Sequence, residues 1–381
     1  MNRGPSASRA GSTRERTRFR WEFVLLLSGL QACSPRPPQP PDLVAAGRTD
    51  PVSHDADDPA IWVHPSDPAA SLIIGTNKVK APDGALVVFG IDGSVRQTVA
   101  GLDRPNNVDV EYGLVLAGRS VDVAVATERV KNQLRVFRIL PDGSGIADVT
   151  SPGNTRVFSD RTGDETAPMG ISLYRRPRDG AVFAIVAPKS GPRQGYLGQY
   201  RLEDDGQGRV KAAFVRYFGT FSGVAEIEAV AVDDALGYVY YADEGDGIHK
   251  YHADPDHADA ARELAHFGRN GFRADREGIA IYVRDDGTGY IVCTDQLEGN
   301  SEYHVYRREG EPGRPHDHEK LLKVVRGGAD STDGLEITSR PLGPKFPSGM
   351  MVAMNSVGRN FFLYRWEDVA GAGSEKLATG R

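Results

Sequence analysis

The stretch Ser53–Pro65, SHDADDPAIWVHP, places Asp55, Asp57 and Asp58 within four residues, directly before Pro59 and an apolar run. Carboxylates this close repel one another unless they are hydrated or set against a cation. A surface loop could hydrate an isolated triplet, but this one has counterparts. Junctions in which polar or acidic residues lead into an apolar strand recur as NNVDVEY (Asn106–Tyr112), PMGISLY (Pro168–Tyr174), EIEAVAV (Glu226–Val232), REGIAIY (Arg276–Tyr282) and TDGLEI (Thr332–Ile337). The interval averages about 55 residues, which suits the blades of a propeller better than separate domains.

Six repeats predict an all-β, six-bladed β-propeller. The first strand of each blade lies nearest the axis, so the residues at its start gather at one mouth of the central channel. Asp57, Asp58, Asp109, Glu228, Asp275, Glu277 and Asp333 are expected there together. An oxygen-rich site with few thiols or clustered imidazoles suits Ca²⁺ better than zinc or copper. Without a cation the acids would raise one another's pKa and oppose folding, so metal binding should stabilise the fold. Lys78, Arg129 and Lys189 follow the second strands of the first three blades, in GTNK, ATER and VAPK. Equivalent ends of equivalent strands put them on one face. Bound cations and these bases together would make an acidic mouth attract phosphate.

The elements that would position these groups read as short strands with Gly, Pro and Asp-Gly turns. Blade one has PAIWV, SLIIGTN, ALVVFGID and VRQTVAG, and blades two to five are similarly complete. Blade six offers only GLEITS, GMMVAMN and FFLYRWE, so Leu43–Arg48 is expected to supply its fourth strand and close the ring. No amphipathic helix of ordinary length stands out, though Asp256–Leu264 has room for one of eight residues.

Upstream, Met1–Arg20 is Arg-rich, and the apolar run Phe23–Leu30 is too short to span a bilayer but suits a signal-peptide core. Leu30-Gln31-Ala32-Cys33 resembles the lipobox of bacterial lipoproteins. The organisation expected is a signal and lipobox over 1–33, a Pro-rich tether over 34–41 and the propeller over 42–381. The chain would be exported as a periplasmic or cell-surface lipoprotein, with ordinary secretion or no export as alternatives. Without Met1–Ala32, which hold six Arg and two Glu, 40 basic and 50 acidic residues remain, a formal charge of −10. That balance argues against nucleic acid as a partner, and membrane contact is expected only through an N-terminal lipid on a monomer. Of two cysteines, Cys33 would be lipidated and Cys293 a small buried apolar residue.

ADDPAIWVHP, followed by TNK and NNVDV, resembles the β-propeller phytase family, alkaline calcium-dependent phosphatases acting on inositol hexakisphosphate. IEAVAVDD with YADEGDGIHKY, ADREGIAIY, GNSEYHVYRR, and STDGL before GPKFPSGMMVA extend the likeness from about Asp50 to Val369. The resemblance implies several calcium ions at one mouth, a cleavage subsite beside an affinity subsite, and calcium-phytate or another inositol phosphate as the small-molecule substrate. By position, Asp57 and Asp58 match calcium-ligand acids. Glu228, Glu244, Asp275, Glu277 and Asp333 match acids that hold catalytic calciums or orient water, Lys78, Arg129 and Lys189 match phosphate-contacting bases, and Asn355 matches a last-blade calcium ligand. His54, beside Asp55, is a further candidate phosphate contact. The chain departs from the family at Val79, where a second base commonly follows Lys78, at Met169, where an aromatic commonly stands, and in the short loop between Asn355 and Arg359.

The sequence holds no Cys-x5-Arg, RHG or Walker A motif. Direct attack by calcium-activated water is therefore the expected chemistry, with His316-Asp317-His318 read as a solvated loop. Two other classes stay open: a non-catalytic, calcium-stabilised propeller that binds partners at the cell surface, and a single-ion hydrolase of the lactonase kind.

Overall fold

Runs such as LIIG and VFAIVA are apolar throughout, and strands of that composition must be covered on both faces. The computed structural model, which describes residues 42–371 and 376–380, covers them so. Leu72–Asn77, Val182–Pro188 and Met350–Asn355, each the second strand of a blade, are buried at every position. By contrast the outermost strand of the first blade, Val95–Leu102, is mostly exposed.

The strands of the described residues form six antiparallel sheets of four, five of them running outward in chain order from an inner strand. The inner strands are Ala56–Trp62, Pro105–Leu116, Pro168–Arg175, Val230–Asp233, Ile279–Val283 and Leu335–Thr338. Each packs against the inner strands of both neighbouring blades. The sixth sheet takes its outer strand from the other end of the chain: Gly47 and Arg48 pair with Leu363 and Phe362. The predicted closure of the ring is thus borne out, by a strand shorter than Leu43–Arg48.

The core is divided among six apolar clusters, one between each pair of adjacent blades. Ile61, Ile73 and Phe89 of blade one, for example, meet Met350, Val352 and Phe361 of blade six. Cys293 is fully buried and free, as expected. Trp366 stacks on Tyr282 at a ring distance of 3.8 Å and ties the C-terminal segment to blade five. No helix among the described residues is long and apolar enough to cross a membrane.

Two local expectations are corrected. Asp256–Leu264 forms turns, not a helix, and the α-helix among the described residues is Trp366–Ala370. His318 is buried rather than solvated: its Nδ1 faces Arg307 O at 2.8 Å and its Nε2 faces Lys250 Nζ at 3.0 Å. Polarity of the surrounding loop hid an anchoring role. The expected signal, lipobox and tether segments, with Cys33, lie outside the described residues.

Candidate active site

Asp57 and Asp58 sit on adjacent positions of one strand yet reach different partners, because the register with Leu72–Asn77 shifts between Ala56 and Pro59. Such a bulge re-aims side chains at the rim of a closed sheet. Asp57 meets Lys78 in an ion pair. Asp58 turns to the next blade, where its Oδ2 accepts from Val108 N at 2.9 Å. Register shifts also fall between Pro105 and Val108 and between Pro168 and Ile171, at the same place in the next two inner strands.

The other acids arrive from blades four to six. Asp275 and Glu277 flank Arg276, which turns the opposite way and holds Glu244 O with its Nη1 at 2.7 Å. One oxygen each of Glu244, Asp275 and Glu277 lies within 4.8 Å of the others. Glu244 Oε2 also accepts from Glu226 N at 2.9 Å. Asp333 is held by Gln296, which donates to its Oδ1. Glu228 joins the two halves: Asn106 Nδ2 donates to its Oε2 at 2.9 Å, and its charge, like those of Asp57 and Asp333, acts on the Lys78 ammonium.

The three predicted bases all reach this mouth. Lys78 lies against Asp57, Lys189 Nζ donates to Glu226 Oε1 at 2.5 Å, and Arg129 Nη1 contacts Asn106 Oδ1 at 3.4 Å. Each therefore pairs with a residue at the start of an inner strand or just before it. Asn106 and Glu226, which the sequence pattern did not single out as site residues, are the groups that link the bases to the acids. Both stand in the recurring junctions, NNVDVEY and EIEAVAV, where their position was the available signal.

Glycine permits this convergence. A Cβ on Gly170 would lie 2.1 Å from Glu228 O and 3.1 Å from Glu228 Cα, and one on Gly334 would lie 2.1 Å from Asp58 Oδ1. Gly170→Ala should accordingly displace the Glu228 backbone, cost about 1–3 kcal/mol of stability and lower turnover. Chemical denaturation and steady-state kinetics would check both effects, and unchanged values would mean that the inner strands can part without cost.

Burial dominates the electrostatics. It pushes the carboxyl of Asp57 up to about 8 against the opposing pull of Lys78, that of Glu244 up to about 8, and that of Asp333 up to about 6. Glu228, Glu277 and Asp58 are also raised, mainly by burial. Asp57 Oδ2 is buried with no hydrogen-bond partner. These groups cannot all ionise with Lys78 as the neutralising charge at their centre. An all-oxygen donor set with an orphaned carboxylate oxygen fits hard divalent cations.

Asp109 is corrected. It lies further down the channel rather than at the mouth, its Oδ2 accepting from Ser172 Oγ at 2.9 Å and Leu173 N at 2.7 Å. With Glu111, Asp234 and Glu336 it lines a channel of about 720 Å³ that runs down the axis between the inner strands. Asn355 uses both ends of its amide inside the last blade: Oδ1 accepts from Asp330 N at 3.0 Å, and Nδ2 donates to Asn360 Oδ1 at 2.9 Å. His54 is exposed, with Nδ1 2.9 Å from Ser53 Oγ. Met169 is fully buried, so it presents no side chain to a ligand at the mouth.

Residues 28–379 match a family model described as Phytase. The chain is 32% identical over 341 residues to a 3-phytase of Bacillus subtilis (strain 168), covering 86% of this chain and 84% of that protein. Among solved structures, a luciferin-regenerating enzyme aligns over 84% of this chain and 91% of its own, at 12% identity and a TM-score of 0.47. A periplasmic gluconolactonase of Pseudomonas aeruginosa aligns over 71% of each chain, at 14% identity and a TM-score of 0.45. Nothing about the chemistry rests on likeness at that level.

Proposed function

Since this chain belongs to the phytase family, we propose that its acid-lined mouth hydrolyses phosphomonoesters of inositol hexakisphosphate by direct attack of water on phosphorus, with calcium as the cation. The observation that carries this reading is the convergence of acids from blades one, four, five and six with Lys78, Arg129 and Lys189 at one end of the channel.

Asp57, Asp58, Glu228, Glu244, Asp275, Glu277 and Asp333 are the residues that would hold the ions. When bound, calcium neutralises phosphate charge and makes water more acidic. The protein supplies the rest. Lys78, Arg129 and Lys189 orient the phosphate oxygens and offset charge that develops on them. Asn106 pins Glu228 Oε2, which leaves Oε1 to accept the proton from the attacking water. The new P–O bond forms as the bond to the inositol oxygen breaks, and that oxygen leaves as an alcohol after taking up a proton. In the same reading Asn355 is a ligand of the last blade, His54 a contact for an outer phosphate, and the chain a monomer exported and anchored through Cys33.

Phosphate release from calcium-phytate at neutral to alkaline pH, with and without chelator, tests the proposal. Release that stops with chelator and returns with calcium is the expected result. Chelator-insensitive release would contradict the water mechanism, and a folded, calcium-binding protein that releases no phosphate would instead be the surface-binding propeller.

A further inference from the structure

The hairpin that follows the Glu244 turn carries side chains for which the phosphate chemistry has no use. Gly247–His252 and Ala265–Phe267 pair antiparallel with His249 opposite His266. Their rings stack at 4.2 Å with planes 10° apart. Asp246, just before the first of these strands, brings Oδ2 to 3.4 Å from His266 Nε2. One ligand atom from each of Asp246, His249 and His266 lies within 4.8 Å of those of the other two.

The protonation of His249 follows from its neighbours. Its Nδ1 lies 2.8 Å from Glu263 Oε2, an oxygen that also accepts from Thr220 Oγ1 at 2.9 Å and Tyr251 Oη at 3.2 Å. Glu263 Oε2 accepts from both hydroxyls, so the His249 Nδ1 that faces it carries the proton. In the neutral ring Nε2 then presents a lone pair. That atom is buried without a hydrogen-bond partner on a side chain only 3% exposed, and His266 Nε2, 3.4 Å from Asp246 Oδ2, makes no hydrogen bond either. A buried polar atom left unpaired is destabilising, so the arrangement calls for a ligand.

We propose that Asp246, His249 and His266 form a second metal site, separate from the oxygen-rich mouth, for a divalent cation of the zinc class. Two imidazole nitrogens and one carboxylate oxygen favour zinc and its transition-metal neighbours over calcium, which prefers oxygen alone. Glu263 supplies the carboxylate behind the ligating histidine that fixes its tautomer and orientation. Arg269 Nη2, 3.5 Å from Asp246 Oδ1, holds the other carboxylate oxygen and leaves Oδ2 turned to His266. The side chains of His266 and Asp246 are 21% and 32% exposed, which gives a cation a way in and a solvent-facing fourth position. Asp246 stands two residues after Glu244, so an ion here would also fix the turn that carries an acid of the mouth.

The test uses the calcium-saturated full chain, free of phosphate and phytate, dialysed against micromolar zinc. One equivalent of zinc per chain should be retained in excess calcium, and cobalt substituted for it should show the intense visible bands of a four-coordinate site with nitrogen ligands. His266→Gln, at a part-exposed position, and Asp246→Asn should each weaken zinc retention by about 10–100-fold while the calcium-stabilised melting temperature stays in place. His249→Gln should do the same, but its burial makes the other two variants the deciding ones. Zinc retention that is absent in the wild type, or equal in wild type and His266→Gln, overturns the site. Neither result touches the calcium-dependent reaction, so the two proposals fail separately.

Discussion

Glu228→Gln is expected to lower kcat for phosphate release by about 10²–10⁴-fold, the range supplied by a positioned proton acceptor, while leaving a folded all-β protein. The substitution keeps shape and removes charge. A glutamine carbonyl can still accept from Asn106 Nδ2, which now donates to Glu228 Oε2 at 2.9 Å, so the local backbone has no cause to move. A neutral side chain is also easier to bury than a carboxylate, and burial is the main reason the Glu228 carboxyl is raised. The metal-free variant should therefore melt no lower than the metal-free wild type. That pairing separates a catalytic role from a structural one, since a residue needed only for folding would lose both. Turnover within tenfold of wild type would place the proton acceptor elsewhere among the mouth acids, with Glu244 and Glu277 next to be changed.

Most of the architecture was legible because the blade junctions repeat in composition as well as in spacing. PAIWV, GISLY, GIAIY and GLEI each carry a turn or small residue into an apolar strand, and that combination survives without knowledge of pairing. The deficit of one strand in blade six was legible too, since an open ring leaves an unpaired edge. What the linear pattern could not convey is side-chain direction at the bulges. Asp57 and Asp58 diverge because of a register shift, and Asp109 is carried past the mouth after the equivalent shift between Pro105 and Val108. Counting by twos from Asn106 gives no warning of this. The linking roles of Asn106 and Glu226 were hidden for a different reason: they depend on bases at the ends of second strands, Arg129 in the same blade as Asn106 and Lys189 in the blade before that of Glu226. Similarly, the His249–His266 pair is separated by a loop of turns, and neither histidine is near the other until Gly247–His252 and Ala265–Phe267 align.

The second large effect expected is that calcium stabilises the protein little at about pH 5 and strongly at about pH 9, as read by melting temperature with chelator and with millimolar calcium. The sign follows from the raised carboxyls. Asp57 and Glu244 are moved up to about 8 and Asp333 to about 6, each mainly by burial, whereas in the unfolded chain they titrate near 4. Between those values the folded state binds more protons than the unfolded one, so metal-free stability falls as pH rises through this window and levels off above it. A tenfold gain in the proton affinity of one carboxyl corresponds to about 1.4 kcal/mol, and the sum over several acids is a large part of the stability of an ordinary domain. A bound divalent cation favours the ionised form and reverses the loss at the mouth, so its stabilisation must grow with pH. It should not reverse the part that belongs to Asp109, Asp234 and Glu336 in the channel, which burial moves up to about 6, 7 and 8. A remaining decline in the calcium-bound protein is therefore expected, and Glu336→Gln should lessen it. If instead the calcium increment were the same at both pH values, the ions would be binding groups already ionised in the metal-free fold, away from the buried acids of the mouth.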